Sequence, residues 1–256
     1  MKKSILFIFT ACFLFTTSCS DFLDEEHKTK YSSEYVFGTP EGLKLAVNAL
    51  YALQRYYAND TENATIFALE RGTDLAVTNG GTGNFYGIYD PNYLKPSASQ
   101  VGFMWRTMYQ IIGKANEIIA AAEDLEDTPS LRATVSEAKC FRAQSYFLLY
   151  RTFDRIWLNI QPTTAENVND PRDFHAASEK EVFDLIYEDL EYAITNLDWV
   201  SDEAGRFTQA AARHMKAKAA LWLKDWDTTL EQVEEIEKSG HFDLIALNEV
   251  FNATVE

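Results

Sequence analysis

Residues 208–242 read TQAAARHMKAKAALWLKDWDTTLEQVEEIEKSGHF, and this stretch decides the fold class. Thr208 is a capping hydroxyl ahead of a run rich in small residues, Ala210, Ala211, Ala212, Ala217, Ala219 and Ala220, which favour helix and let a second helix approach closely. Lys224-Asp225-Trp226 predicts a tight turn. Leu230, Val233 and Ile236 then carry the apolar face of a partner helix that Gly240 ends. Helix, short turn, helix over about 34 residues is the layout of one tetratricopeptide repeat. A single pair of this kind cannot bury its own apolar face, so it needs neighbours.

Those neighbours are legible upstream. Thr39-Pro40 is a helix start, and Leu43, Ala46, Val47, Leu50, Leu53 and Tyr57 mark one face of a helix over about 40–58. A weaker helix is predicted over 64–77, with Ile66, Leu69 and Leu75 on one side. Trp105, Met108, Ile112, Ala115, Ile119 and Ala122 predict a helix over about 101–124. Thr128-Pro129 opens another, whose apolar face through Leu131, Val135, Ala138, Ser145 and Leu149 is interrupted by Arg142. An arginine on a buried face needs a partner. Residues 154–177 form an irregular connection, after which Ser178 and Glu181 make a capping box for a helix carrying Val182, Ile186, Leu190 and Leu197. No alternating pattern argues for a sheet. The class is all-α, an irregular stack of antiparallel helix pairs: 40–58 with 101–124, 130–153 with 180–197, and the opening pair.

Residues 78–100, TNGGTGNFYGIYDPNYLKPSASQ, break the pattern. Long loops inside a compact domain are uncommon and usually functional or disordered, and disordered segments are poor in aromatics. Phe85, Tyr86, Tyr89 and Tyr93 therefore read either as a loop packed by its own rings or as a platform for a ligand.

The chain has 256 residues with 46% hydrophobic content, enough for a real core, and a formal net charge of −16. That charge argues against nucleic acid and against an anionic lipid surface as partners. Its first residues, MKKSILFIFTACFLFTTSCSDFLDEE, have a basic start, a short apolar run and small residues leading to Cys19. This is the order of a secretory signal peptide over 1–18, too short to span a bilayer. A cysteine at the cleavage point is the bacterial lipobox arrangement, although Thr16 stands where an aliphatic residue is usual. Cys19 would then carry the acyl chains and residues 19–38 an acidic tether, leaving a helical domain over 39–256. With Cys12 in the signal peptide, Cys140 is left alone in the domain, so no internal disulfide is expected and the thiol reads as packed.

Catalytic chemistry finds little footing. Runs such as Glu188, Asp189, Glu191 or Glu231, Glu234, Glu235 read as solvated helix faces. His27, His175, His214 and His241 are scattered, and Gly80-Gly81-Thr82-Gly83 lacks the lysine of a phosphate loop. Neither a catalytic residue, a metal nor a cofactor is expected.

The residues from Cys19 to Glu26, Glu41-Gly42-Leu43 leading to Ala49-Leu50-Tyr51, and the helix with Trp105, Tyr109, Ile112, Ala115-Asn116 and Ile118-Ile119 together resemble the SusD/RagB outer-membrane lipoproteins. The likeness continues in Glu137-Ala138-Lys139, Arg142-Ala143, Tyr146-Phe147 and the stretch from Arg206 to Phe242. It departs at Phe153-Asp154-Arg155-Ile156-Trp157, where the family commonly has a Phe-Gly-Asp-Val-Pro turn. Family members are also typically longer, so the chain resembles their N-terminal, tetratricopeptide-containing part. The resemblance implies a lipid-anchored, surface-exposed outer-membrane protein, held through Cys19, that binds a nutrient, usually an oligosaccharide, beside a TonB-dependent SusC-type transporter. Rings to stack on sugar faces and polar groups for the hydroxyls are interleaved in the 78–100 loop, which makes Asn84, Phe85, Tyr86, Tyr89, Asp90 and Tyr93 the candidate ligand residues. A tetratricopeptide-like scaffold for protein contact alone, or a truncated member without function, are the other readings.

Overall fold

Thr39 and Pro40 start their helix as the sequence predicts: the Thr39 hydroxyl accepts the Gly42 N–H at 3.1 Å and proline occupies the first helical position. The structure, a computed structural model, describes residues 31–59, 95, 99–171 and 174–245. The predicted 64–77 helix and Cys19 lie outside the described residues. Seven helices are described: α1 Ser33–Gly38, α2 Pro40–Asn59, α3 Ser99–Ala122, α4 Pro129–Thr152, α5 Glu179–Asn196, α6 Gln209–Leu223 and α7 Trp226–Lys238. Among the described residues there is no strand. The fold is all-α and tetratricopeptide-like.

Local sequence sets the ends. Thr128 caps α4 by accepting the Leu131 N–H at 3.1 Å. Ser178 and Glu181 form the predicted box, with Ser178 N–H donating to Glu181 Oε2 at 2.8 Å. At the α6–α7 turn Lys224 adopts left-handed geometry (φ 61°), and Asp225 caps α7 by accepting the Thr228 N–H at 3.1 Å. The short α1 lies against α2 at Gly42, where a Cβ would stand 2.2 Å from the Tyr35 carbonyl oxygen and 2.6 Å from Val36 Cα. Only glycine permits that approach.

The pairs α2–α3, α4–α5 and α6–α7 pack antiparallel, and α4 lies at the centre, against α2, α3, α5 and α6. Leu43, Val47 and Leu50 of α2, Met108, Ile111 and Ile112 of α3, Phe141 and Tyr146 of α4, and Ile186 and Leu190 of α5 are fully buried. Each contributes roughly 1.5–3 kcal/mol by leaving water. Ala210, Ala212, Ala217, Ala219 and Ala220 of α6 are buried, as close packing requires, while Ala211 is half-buried. Cys140 is wholly buried, and that burial pushes its thiol well above the usual range, so it packs and does not react.

Two expectations fail. Leu230 and Val233 were expected on the buried face of α7, yet Leu230 is 60% exposed and Val233 is exposed as well; Ile236 is half-buried. Among the described residues α7 packs only on α6, so its Trp226–Leu230–Val233 stripe has no second helix to cover it. Asp189, expected on a solvated face, is fully buried.

Candidate functional site

Asp189 anchors the polar interior that positions the surface described next. Its Oδ2 accepts Arg142 Nε at 2.7 Å, and its Oδ1 accepts Arg142 Nη2 and Lys139 Nζ, both at 2.8 Å. Arg142 thus finds the partner its place on a buried face demands, and in bidentate geometry. Its remaining amine, Nη1, donates to Asn116 Oδ1 at 2.8 Å. Asn116, held this way, turns its amide nitrogen to the Asn159 carbonyl at 2.9 Å.

The 153–177 connection has no ladder of its own, so side chains satisfy its backbone. The Tyr146 hydroxyl accepts the Asn159 N–H and donates to the Asn159 carbonyl, each at 2.7 Å. The Tyr109 hydroxyl does the same for Trp157, each at 2.8 Å. Ala177 N–H closes the base of the loop on the Ile156 carbonyl at 2.9 Å. The buried ion pair, acting through Asn116, and two tyrosine hydroxyls together hold the backbone of Trp157 and Asn159.

Around Trp157 the rings form a ledge. Trp105 and Tyr109 of α3 lie 4.8 Å apart, and Phe153 meets Trp105 edge-on at 5.0 Å. Trp157 stacks on Tyr109 at 6.4 Å and touches Phe174 at 4.8 Å, with Phe174 70% exposed. The ledge lies on the first half of α3, which begins at Ser99. Asn84, Phe85, Tyr86, Tyr89, Asp90 and Tyr93 themselves lie outside the described residues. Trp157 and Phe174 were not singled out from sequence; the usable signal was aromatics in an irregular connection too long to be a plain link.

A second polar cluster ties α2 to the 197–207 connection. Tyr51 donates to Glu137 Oε2, Arg206 Nη2 meets Glu137 Oε1 at 3.1 Å, and Phe207 N–H donates to the Tyr51 hydroxyl at 2.7 Å. Burial holds the Glu137 carboxyl above its ordinary range, against the lowering effects of the Tyr51 bond and the Arg206 charge. The same burial, reinforced by Glu137, raises the Tyr51 hydroxyl, which stays protonated. Glu137 has a structural partner on each oxygen, Tyr51 and Arg206, and Arg206 also meets Glu203 at 3.7 Å. Among the described residues no three His, Cys, Asp or Glu side chains could together hold a metal, and no helix is long and apolar enough to cross a membrane.

What the ledge offers chemically is stacking surface for flat apolar faces, with backbone held rigid beneath it. The family model SusD-like_3, described as starch-binding associating with outer membrane, matches residues 21–221. A SusD-like protein of Bacteroides ovatus is 28% identical over 240 residues, covering 89% of this chain and 40% of that protein. A laminarin-binding SusD-like protein superposes with a TM-score of 0.64 at 23% identity, over 77% of this chain and 43% of its own. A crystal structure with xylogluco-oligosaccharide gives 0.65 at 22% identity, over 79% and 41%. The chain thus spans less than half the length of the relatives it matches. With the helix pairs in place and the family model matching most of its length, the chain belongs to the SusD-like family.

Proposed function

We propose that this protein is a lipid-anchored outer-membrane protein, acylated at Cys19, that binds an oligosaccharide and passes it to a TonB-dependent SusC-type transporter. The observation that carries the reading is the match of a starch-binding family over residues 21–221, beside which stand a half-buried aromatic ledge with Phe174 exposed at its edge and the ring-rich 78–100 stretch of the sequence. Sugar recognition needs flat rings against C–H faces and amides or carboxylates for hydroxyls, and no activated nucleophile. Tyr86 and Tyr89 supply rings from the loop with Phe85 and Tyr93; Asn84 and Asp90 supply polar groups; Trp157 and Phe174 extend the platform. The chain acts as a binding module and not as a catalyst. A laminarin-binding relative and a neighbour crystallised with xylogluco-oligosaccharide point to glucose-based polymers as the first ligands to try.

The mature protein should be retarded in native gels containing laminarin or xyloglucan, and the Tyr86→Ala/Tyr89→Ala variant should migrate as in a plain gel with its helical circular dichroism unchanged. Absence of retardation across a glycan panel, with the transporter still captured, would favour a scaffold for protein contact. Mass spectrometry of the membrane-extracted protein should find acyl chains on Cys19 as the first residue; an unacylated N-terminus removes the anchor.

A further inference from the structure

Side chains of α2 through α6 line a cleft of about 280 Å³, most of them from α4 and α6. Its floor is apolar and adaptable: Met108, Phe147, Ile186 and Met215. Gln54 and Gln144 offer amides at one side, and the rim is Arg151, His214 and Lys218. No carboxylate lines it. Two other clefts mix signs: Glu137, Asp198, Asp202 and Glu203 share one with Lys44 and Arg206, and Glu123, Asp127 and Glu188 share another with Arg132 and Lys139; a third holds Arg55 as its one charged side chain. In a chain of net charge −16, three basic side chains around one cleft without a carboxylate give it a basic rim.

The rim charges are also uncommitted. Arg151 lies over the Phe147 ring at 5.0 Å and toward Trp222 at 5.9 Å, and among the described residues neither it nor Lys218 has a carboxylate within ion-pair distance. Cation–π contact orders the guanidinium while leaving its N–H donors for a ligand. We infer that this cleft is a docking site for an acidic peptide segment of a partner protein, one apolar side chain entering the Met-lined floor and flanking carboxylates meeting Arg151, His214 and Lys218. The surface favours a peptide over a sugar, since the Phe147 face on which a sugar could stack is taken by Arg151. The inference is independent of the glycan reading, since it uses neither the ledge nor the 78–100 loop.

The test is fluorescence polarisation of the mature chain with labelled pentapeptides carrying two acidic residues on each side of a central Leu, Ile, Met or Phe, and with the matching amide peptides as controls. Saturable binding of at least one acidic peptide is expected, weakened by salt, absent for its amide counterpart, and reduced about tenfold or more in Arg151→Gln/Lys218→Gln. Lys114→Gln, an exposed cation elsewhere on α3, should bind as wild type. Both rim residues are exposed, and melting curves check the fold; should the double variant be destabilised, Lys218→Gln alone should still weaken binding two- to threefold. No binding by any acidic peptide, equal loss in Lys114→Gln, or undiminished binding in the rim variants overturns the proposal. Displacement by an oligogalacturonate as effective as the unlabelled peptide also overturns it, and assigns the cleft to an acidic saccharide.

Discussion

Helices α4 and α7 invert the usual relation between chemistry and burial. The helix α4 buries Glu137, Lys139 and Arg142, whereas α7 leaves Trp226, Leu230 and Val233 in the open. Helix α4 has neighbours on every side, and two of them carry the counter-groups: Asp189 on α5 and Asn116 on α3. Helix α7 packs only on α6 among the described residues. In a stack of pairs, what a residue buries is set by its place in the stack as much as by its own polarity.

The largest effect should come from breaking the α4 side of this contrast. Asp189→Ala leaves Arg142 and Lys139 buried without their carboxylate and should cost about 3–5 kcal/mol of unfolding free energy in urea titration. A paired change, Arg142→Met with Asp189→Leu, should recover much of that loss. A loss under 1 kcal/mol for the single change would mean that the interior tolerates the lone cations.

Next is the clamp on the connection. Tyr146→Phe removes both bonds to the Asn159 backbone and should cost about 1–3 kcal/mol, with faster amide exchange at residues 157–161. Exchange rates equal to wild type there would show that the hydroxyl does not hold the loop.

Glu137 supplies a smaller effect with a definite sign. Because its folded-state pKa is raised, protonation favours the folded form: the contribution is complete below the ordinary value of 4.5 and is lost as pH rises through the folded value. The stability of wild type relative to Glu137→Gln should therefore fall as pH rises from about 4.5 toward neutrality. A difference that grows with pH would contradict a raised pKa.

The smallest effect belongs to α7. Leu230→Glu on an exposed stripe should change stability by about 0.5 kcal/mol or less while reducing self-association measured by light scattering. A loss above 2 kcal/mol would mean that the stripe is covered.

Helix starts were readable because capping is local chemistry: Thr39, Thr128, Ser178 and Thr208 stand next to the groups they satisfy. Arg142 announced a buried partner but could not name it, since Asp189 is 47 residues away and sits in an acidic run that looks solvated. The clamp by Tyr146 was not legible, because it depends on Asn159 reaching it across an irregular connection. Leu230 and Val233 misled for the opposite reason, because periodicity identifies an apolar face without saying whether anything packs on it. The ledge was missed since Trp157 and Phe174 fall outside any periodic segment.

The most direct measurement is calorimetric titration of the mature chain with laminari- and xylogluco-oligosaccharides, alongside Tyr86→Ala/Tyr89→Ala and Phe174→Ala. Saturable binding by wild type, abolished by the loop change and weakened several-fold by Phe174→Ala, is the predicted result. Equal binding by all three proteins, or none by wild type to any glycan tried, contradicts an oligosaccharide site formed by the loop and the ledge.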